Sequence, residues 1–369
     1  MNDNTGRSRP VVGEPQHHGG YIHCHKVVIV PDRFVLEIQG STEREKRRLR
    51  LNIPTFCILF GGLIFASIPG NVLWPYFAGI AILAIGIFTS GKEVLRAHGT
   101  DKIVALGPLF FAVPMAVFAS QHFTEAKAVA TLVPSWIPGH LFWTYFVGTA
   151  LVAASLSIIV KKQARLAAIL LAVMLILFVL LLHVPNIMAH PKNVIAWALA
   201  LRDLAFSGGA LAFAGTQTEQ RKAEGTNNLV TLARVFLSVS AIFFGLEHFL
   251  HPEFMPGVDF DRSMPPWIPG RVFWSYLAGT VFLIAGTSLI VNRKTRFAAT
   301  CLGIMVLLLV LFVYLPILAV HPFDINEGLN FLVSTLAFSG AALLLAKACQ
   351  ETNRGTHNPI LAAAHSRSD

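Results

Sequence analysis

"PSWIPGHLFWTYFVG", residues 134–148, decides how this chain is read, because residues 265–279, "PPWIPGRVFWSYLAG", write it again 131 positions later. The offset persists downstream. His183-Val184-Pro185 faces Tyr314-Leu315-Pro316, and His190-Pro191 faces His321-Pro322. After a slip of one residue, Leu204 to Gly208 (LAFSG) meets Leu336 to Gly340, the same five letters. Upstream, Gln121-His122-Phe123 lies opposite Glu247-His248-Phe249. A shorter third copy precedes both, with Ile68-Pro69-Gly70, Trp74, Tyr76 and Gly79 at every anchor of the motif.

The repeats sit in a very apolar chain. Of 369 residues 54% are hydrophobic and only 13% are charged, whereas an ordinary soluble domain carries about 25% charge. Apolar stretches of about 18 residues or more recur, each enough to cross about 30 Å of hydrocarbon as a helix. Both faces of these stretches are apolar, so the alternation of a membrane β-barrel is excluded. The expected fold class is therefore all-α, a polytopic membrane protein of about ten transmembrane helices built from tandem four-helix bundle units. The spans fall near 53–68, 72–90, 103–120, 141–160, 165–183, 194–214, 230–247, 272–291, 297–315 and 329–346.

Two helices, then four, then four give the organisation. Residues 1–50 form a polar, basic N-terminal segment and 51–100 a half unit; 101–225 and 226–348 are the two full units, and 349–369 a polar tail. Units with an even number of spans keep one orientation, so these are parallel repeats. Basic residues cluster at 44–50, 92–102, 161–165, 221–222, 293–296 and 347–354 and are sparse in the alternate connections. By the positive-inside rule both termini are cytoplasmic, in what reads as a bacterial inner membrane. The net charge of +9 then follows from topology and calls for membrane lipid, not nucleic acid, as the partner. Lys26 to Ile38 would form a short hairpin or lie on the membrane, and the run 44–50 would sit beside anionic lipid. Cys24, Cys57, Cys301 and Cys349 include no C-x-x-C pair, which disfavours thiol oxidation at the outer face. No cleavable signal peptide, Walker A, dinucleotide-binding glycine fingerprint or nucleophile elbow occurs.

Three groups of residues are candidates for chemistry. Arg202 and Asp203 lie about ten residues into the sixth span, where each charge costs at least about 2.5 kcal/mol and needs the bundle interior or a wet cavity. Adjacent on a helix, they point about 100° apart, so each is expected to find a partner on another span. They fit either a packing pair or a proton or substrate relay. His122, His140, His183 and His190 in the first unit, and His248, His251 and His321 in the second, map to the external helix ends. Imidazoles there suit interfacial hydrogen bonds, a metal (His122, His183, His190, His321) or haem, or proton exchange with a quinone. Glu247 beside His248 adds an acid that would cap the helix or accept protons. The repeated motif is the third group. Pro and Gly turn the loop sharply into the helix, and Trp and Tyr belong at headgroup level. Trp136, His140, Trp143, Tyr145, Trp267, Trp274 and Tyr276 would otherwise line an aromatic pocket for a planar ligand such as a quinone headgroup. His17-His18 and His23-Cys24-His25 read as a solvated tail.

Four-span units with an external Pro-Gly-Phe-Trp loop resemble DoxX/DoxD-like membrane proteins. The likeness covers residues 103–214 and 230–346, with the truncated echo at 53–90; Leu232-Ala233-Arg234 to His248 resembles the family's first helix, and Arg202-Asp203 to Gly209 the start of its last. The resemblance implies redox chemistry near quinone, in some members as thiosulfate:quinone oxidoreductase, in others beside a soluble oxidoreductase subunit. Tandem units on one chain depart from the family, as does Thr335 where the first unit has Asp203. Three readings remain open: a redox membrane component, with catalytic candidates Asp203, Arg202, Glu247 and His248; a secondary transporter or channel for a small solute; and a non-catalytic scaffold.

Overall fold

The computed structural model describes residues 24–30, 33–39, 46–52, 70–217, 224–258 and 263–365. The expected first span, 53–68, lies outside them.

Residues 24–52 carry a three-stranded antiparallel sheet, β1 (Cys24–Val30), β2 (Arg33–Gln39) and β3 (Lys46–Asn52), in the order β1-β2-β3. Val27, Val28 and Ile29 pair with Leu36, Val35 and Phe34, residue types that fit a pleated surface. The hairpin reading of this stretch holds and is extended. Residues 46–50 of the basic run lie in β3, where Arg48 is the register partner of Glu37. The sheet adds to the all-α reading, which describes the apolar body.

That body is helical, with an isolated bridge between Phe254 and Ser263. Its elements are α1 (Gly70–Arg96), α2 (Asp101–Ala105), α3 (Gly107–Thr124), α4 (Ala126–Ala130), α5 (His140–Val160), α6 (Ala164–Phe178), α7 (Val184–Ala189) and α8 (Val194–Thr216). There follow α9 (Glu224–Leu250), α10 (Arg271–Ile290), α11 (Thr295–Leu309), α12 (Leu315–Val320) and α13 (Asn330–His365). Among the described residues nine helical stretches are long and apolar enough to cross a membrane, α2–α3, α6–α7 and α11–α12 each counting as one. The chain is a polytopic, helix-rich integral membrane protein.

The repeat is visible in the backbone. Lys161 and Gln163 take the left-handed conformation between α5 and α6, and Asn292 and Lys294, each 131 positions on, do so between α10 and α11. A π-helical turn, Val179–His183, joins α6 to α7, and another, Val310–Tyr314, joins α11 to α12. Each precedes a proline, Pro185 or Pro316, which has no N–H to donate and whose ring crowds the carbonyl four residues back. The ladder widens to the i→i−5 pattern there instead of breaking.

The helices of the two repeats do not close into separate bundles. In the first, α3, α5, α6 and α8 pack in sequence, and α8 then lies mainly against α9 and α13 of the second unit, while α13 lies against α3 of the first. The LAFSG repeat makes this arrangement. Ser207 donates to the Ala172 carbonyl of α6 at 3.1 Å, and Ser339 to the Gly303 carbonyl of α11 at 2.8 Å, so each serine ties its helix to its own unit. The next residue faces the other unit. A methyl group on Gly340 would stand 2.6 Å from the Phe111 nitrogen of α3, and one on Gly208 2.6 Å from the Leu237 side chain of α9. Where hydrocarbon removes the hydrophobic drive between helices, such close backbone approach and interhelical hydrogen bonding supply the association. On the basic side, the Glu93 carboxylate of α1 takes Lys161 at 2.9 Å and Lys347 at 2.6 Å, joining α1 to both units.

Gly340→Ala is expected to lower stability in detergent by about 1–3 kcal/mol, because the clash is with backbone and cannot be relieved by a rotamer. Gly91→Ala, with nothing within 4 Å of the added methyl, is the control and should not destabilise. Thermal unfolding of both variants reads the difference.

Candidate functional site

The site grows from the π-turns. By widening the helix, the turn at 179–183 sets His183 toward α8, where its Nε2 meets Asp203 Oδ2 at 2.9 Å. Asp203 Oδ1 lies 3.4 Å from Arg202 Nε, and the Arg202 guanidinium sits 5.9 Å from the Phe206 ring centre. The expected partner of Asp203 on another span is therefore His183. Arg202 reaches its own neighbour despite the 100° between them, because its long stem folds back along the helix. An ionised carboxylate only accepts, so His183 donates its Nε2 proton to it, and Nδ1 is an acceptor when the ring carries no second proton.

The second unit has the same places with different chemistry. Tyr314 stands for His183 and Thr335 for Asp203, both fully buried, and Ser334 for Arg202. Tyr314 donates to the Pro256 carbonyl at 3.0 Å, and the Gly257 N–H donates to His248 Nε2 at 2.9 Å. One peptide group, Pro256–Gly257, is thus held at both ends. The Gly257 φ of 140° and the 2.9 Å from its would-be methyl to the Tyr314 hydroxyl admit only glycine. Met255, Val258, Met264 and Ile268 of the same connection are buried with it. A loop of the chain fills this end of the second unit.

The corresponding connection in the first unit is shorter and folds differently. His122 to His248 is an offset of 126, while His140 to Arg271 is 131, so the connection is five residues longer in the second unit (131 − 126). The shorter connection forms α4 and packs on α3 and α5. His122 is nevertheless set as its counterpart is. Its Nδ1 donates to the Phe118 carbonyl at 2.7 Å as His248 Nδ1 does to that of Phe244, and Gly148 lies against its Cβ as Gly279 lies against that of His248. The two histidines differ at Nε2: no hydrogen bond joins that atom of His122 to any of the described residues.

The other candidates fall elsewhere. Trp136, Trp143, Tyr145, Trp267 and Tyr276 are 68%, 41%, 45%, 49% and 42% exposed on the flanks of α5 and α10, with His140 and Trp274 half-buried. Trp143 donates to the Pro138 carbonyl at 3.1 Å, Tyr145 and Tyr276 stack on Phe123 and Phe249, and Trp274 stacks on Phe312. These contacts fix the helix start and leave most of the rings exposed. Glu247 is buried; its Oε2 lies 3.7 Å from His251 Nε2 and makes no hydrogen bond. Gln121, its counterpart, donates to Asn330 of α13 at 2.6 Å. His190 and His321 end α7 and α12 in exposed positions. Among the described residues no three of His, Cys, Asp and Glu come together as metal ligands. Sequence reasoning passed over Tyr314 and the Pro256–Gly257 peptide; the five-residue offset change was the one signal that pointed to them.

Compared with known proteins, the chain matches no family model, no curated sequence and no solved structure.

Gly257→Ala should destabilise the body by about 1–3 kcal/mol through strain and the clash with Tyr314. Tyr314→Phe removes the hydroxyl that is struck, so the double variant should cost less than the sum of the singles in a thermal-unfolding cycle.

Proposed function

We propose that the chain is a DoxX-like membrane component of a redox system acting at a quinone, with its first unit as the working half. One observation carries the reading: a His–Asp–Arg cluster is kept inside one of two duplicated units, while the other has exchanged it for Tyr, Thr and Ser and filled the place with its own loop. Buried ionisable groups in a membrane are costly and mark proton or substrate paths. Quinol oxidation releases two protons and two electrons. His183 Nδ1, with Asp203 accepting at the opposite nitrogen to steady the imidazolium, is arranged to take one of those protons, in the role of a general base. The electrons pass to a partner, for which a soluble oxidoreductase subunit docked on the membrane body is the fitting class. The inner membrane, with both termini cytoplasmic, is the location that the basic connections favour.

Transport is the second reading, favoured by the charge pair Arg202–Asp203 within a spanning helix. Measurements on the purified protein in liposomes separate the two. His183→Leu should lower quinone-linked electron transfer by about 10²-fold or more, while Tyr314→Phe, the matching change in the plugged unit, leaves it within about twofold. Equal loss in both variants contradicts the proposal. Solute flux that needs Asp203 in the absence of quinone replaces it with the transporter.

A further inference from the structure

The plug of the second unit shows what the first unit is built to hold. In the second unit, His248 Nε2, Tyr314 and Thr335 converge on Gly257: the glycine N–H is 2.9 Å from His248 Nε2, and a methyl on its Cα would lie 2.9 Å from the Tyr314 hydroxyl and 3.4 Å from Thr335 Oγ1. The three equivalent positions in the first unit are His122, His183 and Asp203, carried on equivalent helices. His183 and Asp203 are joined at 2.9 Å, and His122 is fixed by the same carbonyl bond and the same glycine contact as His248. No hydrogen bond from the described residues reaches His122 Nε2, the atom at which His248 takes the Gly257 N–H.

The protons of the two histidines are set by their neighbours. A backbone carbonyl only accepts, so His122 must donate from Nδ1 and offers Nε2 as an acceptor, as His248 does to the Gly257 N–H. His183 donates from Nε2 to the Asp203 carboxylate and offers Nδ1. His122 and His183 stand near the ends of their helices, as His248 and Tyr314 do in the second unit. The lining also differs in size. Phe282 stacks on the His248 ring with centres 5.3 Å apart, and the first unit has the smaller Leu151 in that place.

We infer that the first unit holds, between His122, His183 and Asp203, a seat for a neutral ligand that donates hydrogen bonds, in the place that the Pro256–Gly257 peptide takes in the second unit. Neutral hydroxyls and amide N–H groups on an apolar body are the ligand class. Anions and groups that only accept are rejected, because both imidazole nitrogens would face them with lone pairs and Asp203 with charge. Within the proposed function, on which this identification of the site rests, the seat takes the reduced quinol in preference to the oxidised quinone. One ligand is bound per chain, since the second seat is filled from within.

Anaerobic equilibrium dialysis of the full chain in detergent tests this with three probes: decylhydroquinone, its di-O-methyl ether, and N-octylacetamide. The hydroquinone and the amide should saturate at one per chain, with the ether bound about tenfold or more weakly for want of donors. His122→Leu should abolish that preference, and His122→Gln, which keeps a side-chain acceptor, should restore part of it. Unfolding temperatures of both variants show that the body is intact. Binding of the amide alone upholds the seat and removes quinone from the proposed function. Hydroquinone binding unaffected by both His122 variants, equal affinity for hydroquinone and ether, or two sites per chain overturns the seat, whatever becomes of quinone turnover.

Discussion

Two serine–glycine steps hold the membrane body together. In hydrocarbon a buried backbone carbonyl has no water to turn to and apolar side chains gain little by leaving lipid for one another, so hydrogen bonds and close packing must do the joining. Ser207 and Ser339 hold the last helix of each unit to that unit's third helix. Gly208 and Gly340, one position on, let the same helices come up against the first helix of the other unit. The duplicated halves are thereby made into one body, with α8 and α13 packed on each other between them. The asymmetric site rests on that frame, because Asp203 stands one helical turn before Ser207 on α8.

At the equivalent places the second repeat has Thr for Asp, Tyr for His, Ser for Arg and Phe for Leu, with five more residues in the connection. Each exchange removes charge or fills space. Tyr314 keeps a donor where His183 stands in the first unit and uses it on the Pro256 carbonyl, so the inserted peptide has its polar atoms satisfied. Thr335 Oγ1 is left buried without a hydrogen bond, a residue of the polar position that Asp203 still occupies.

Much of this was legible in the sequence, for physical reasons that differ from element to element. The spans follow from apolar length, and the repeat from the 131-residue offset that returns even in the left-handed residues at 161 and 292. Asp203 was marked by its cost in lipid alone. The cross-unit closure was not legible, because identical LAFSG sequences fit equally well whether each last helix returns to its own first helix or to its neighbour's. His183 was visible as a histidine but not as the partner of Asp203; the π-turn that aims it comes from Pro185 two residues later, and a proline does not announce whether a helix will break, kink or widen. The aromatic motif read as both belt and pocket; its contacts, Trp143 to the Pro138 carbonyl and Tyr145 on Phe123, lie within its own repeat. The strand at 46–52 was not legible from the basic run, since charge alone does not specify an extended backbone.

The most direct test of an asymmetric pair of units with one working site is the quinone content of the protein as it leaves the membrane. Solvent extraction of the detergent-purified chain, with quinone and protein quantified on the same sample, gives a ratio per chain. One per chain, retained as the quinol when the protein is purified anaerobically, is the result expected here. Two would show that the second unit is not plugged, and none, from a well-folded preparation, would contradict the assignment of the first unit to quinone.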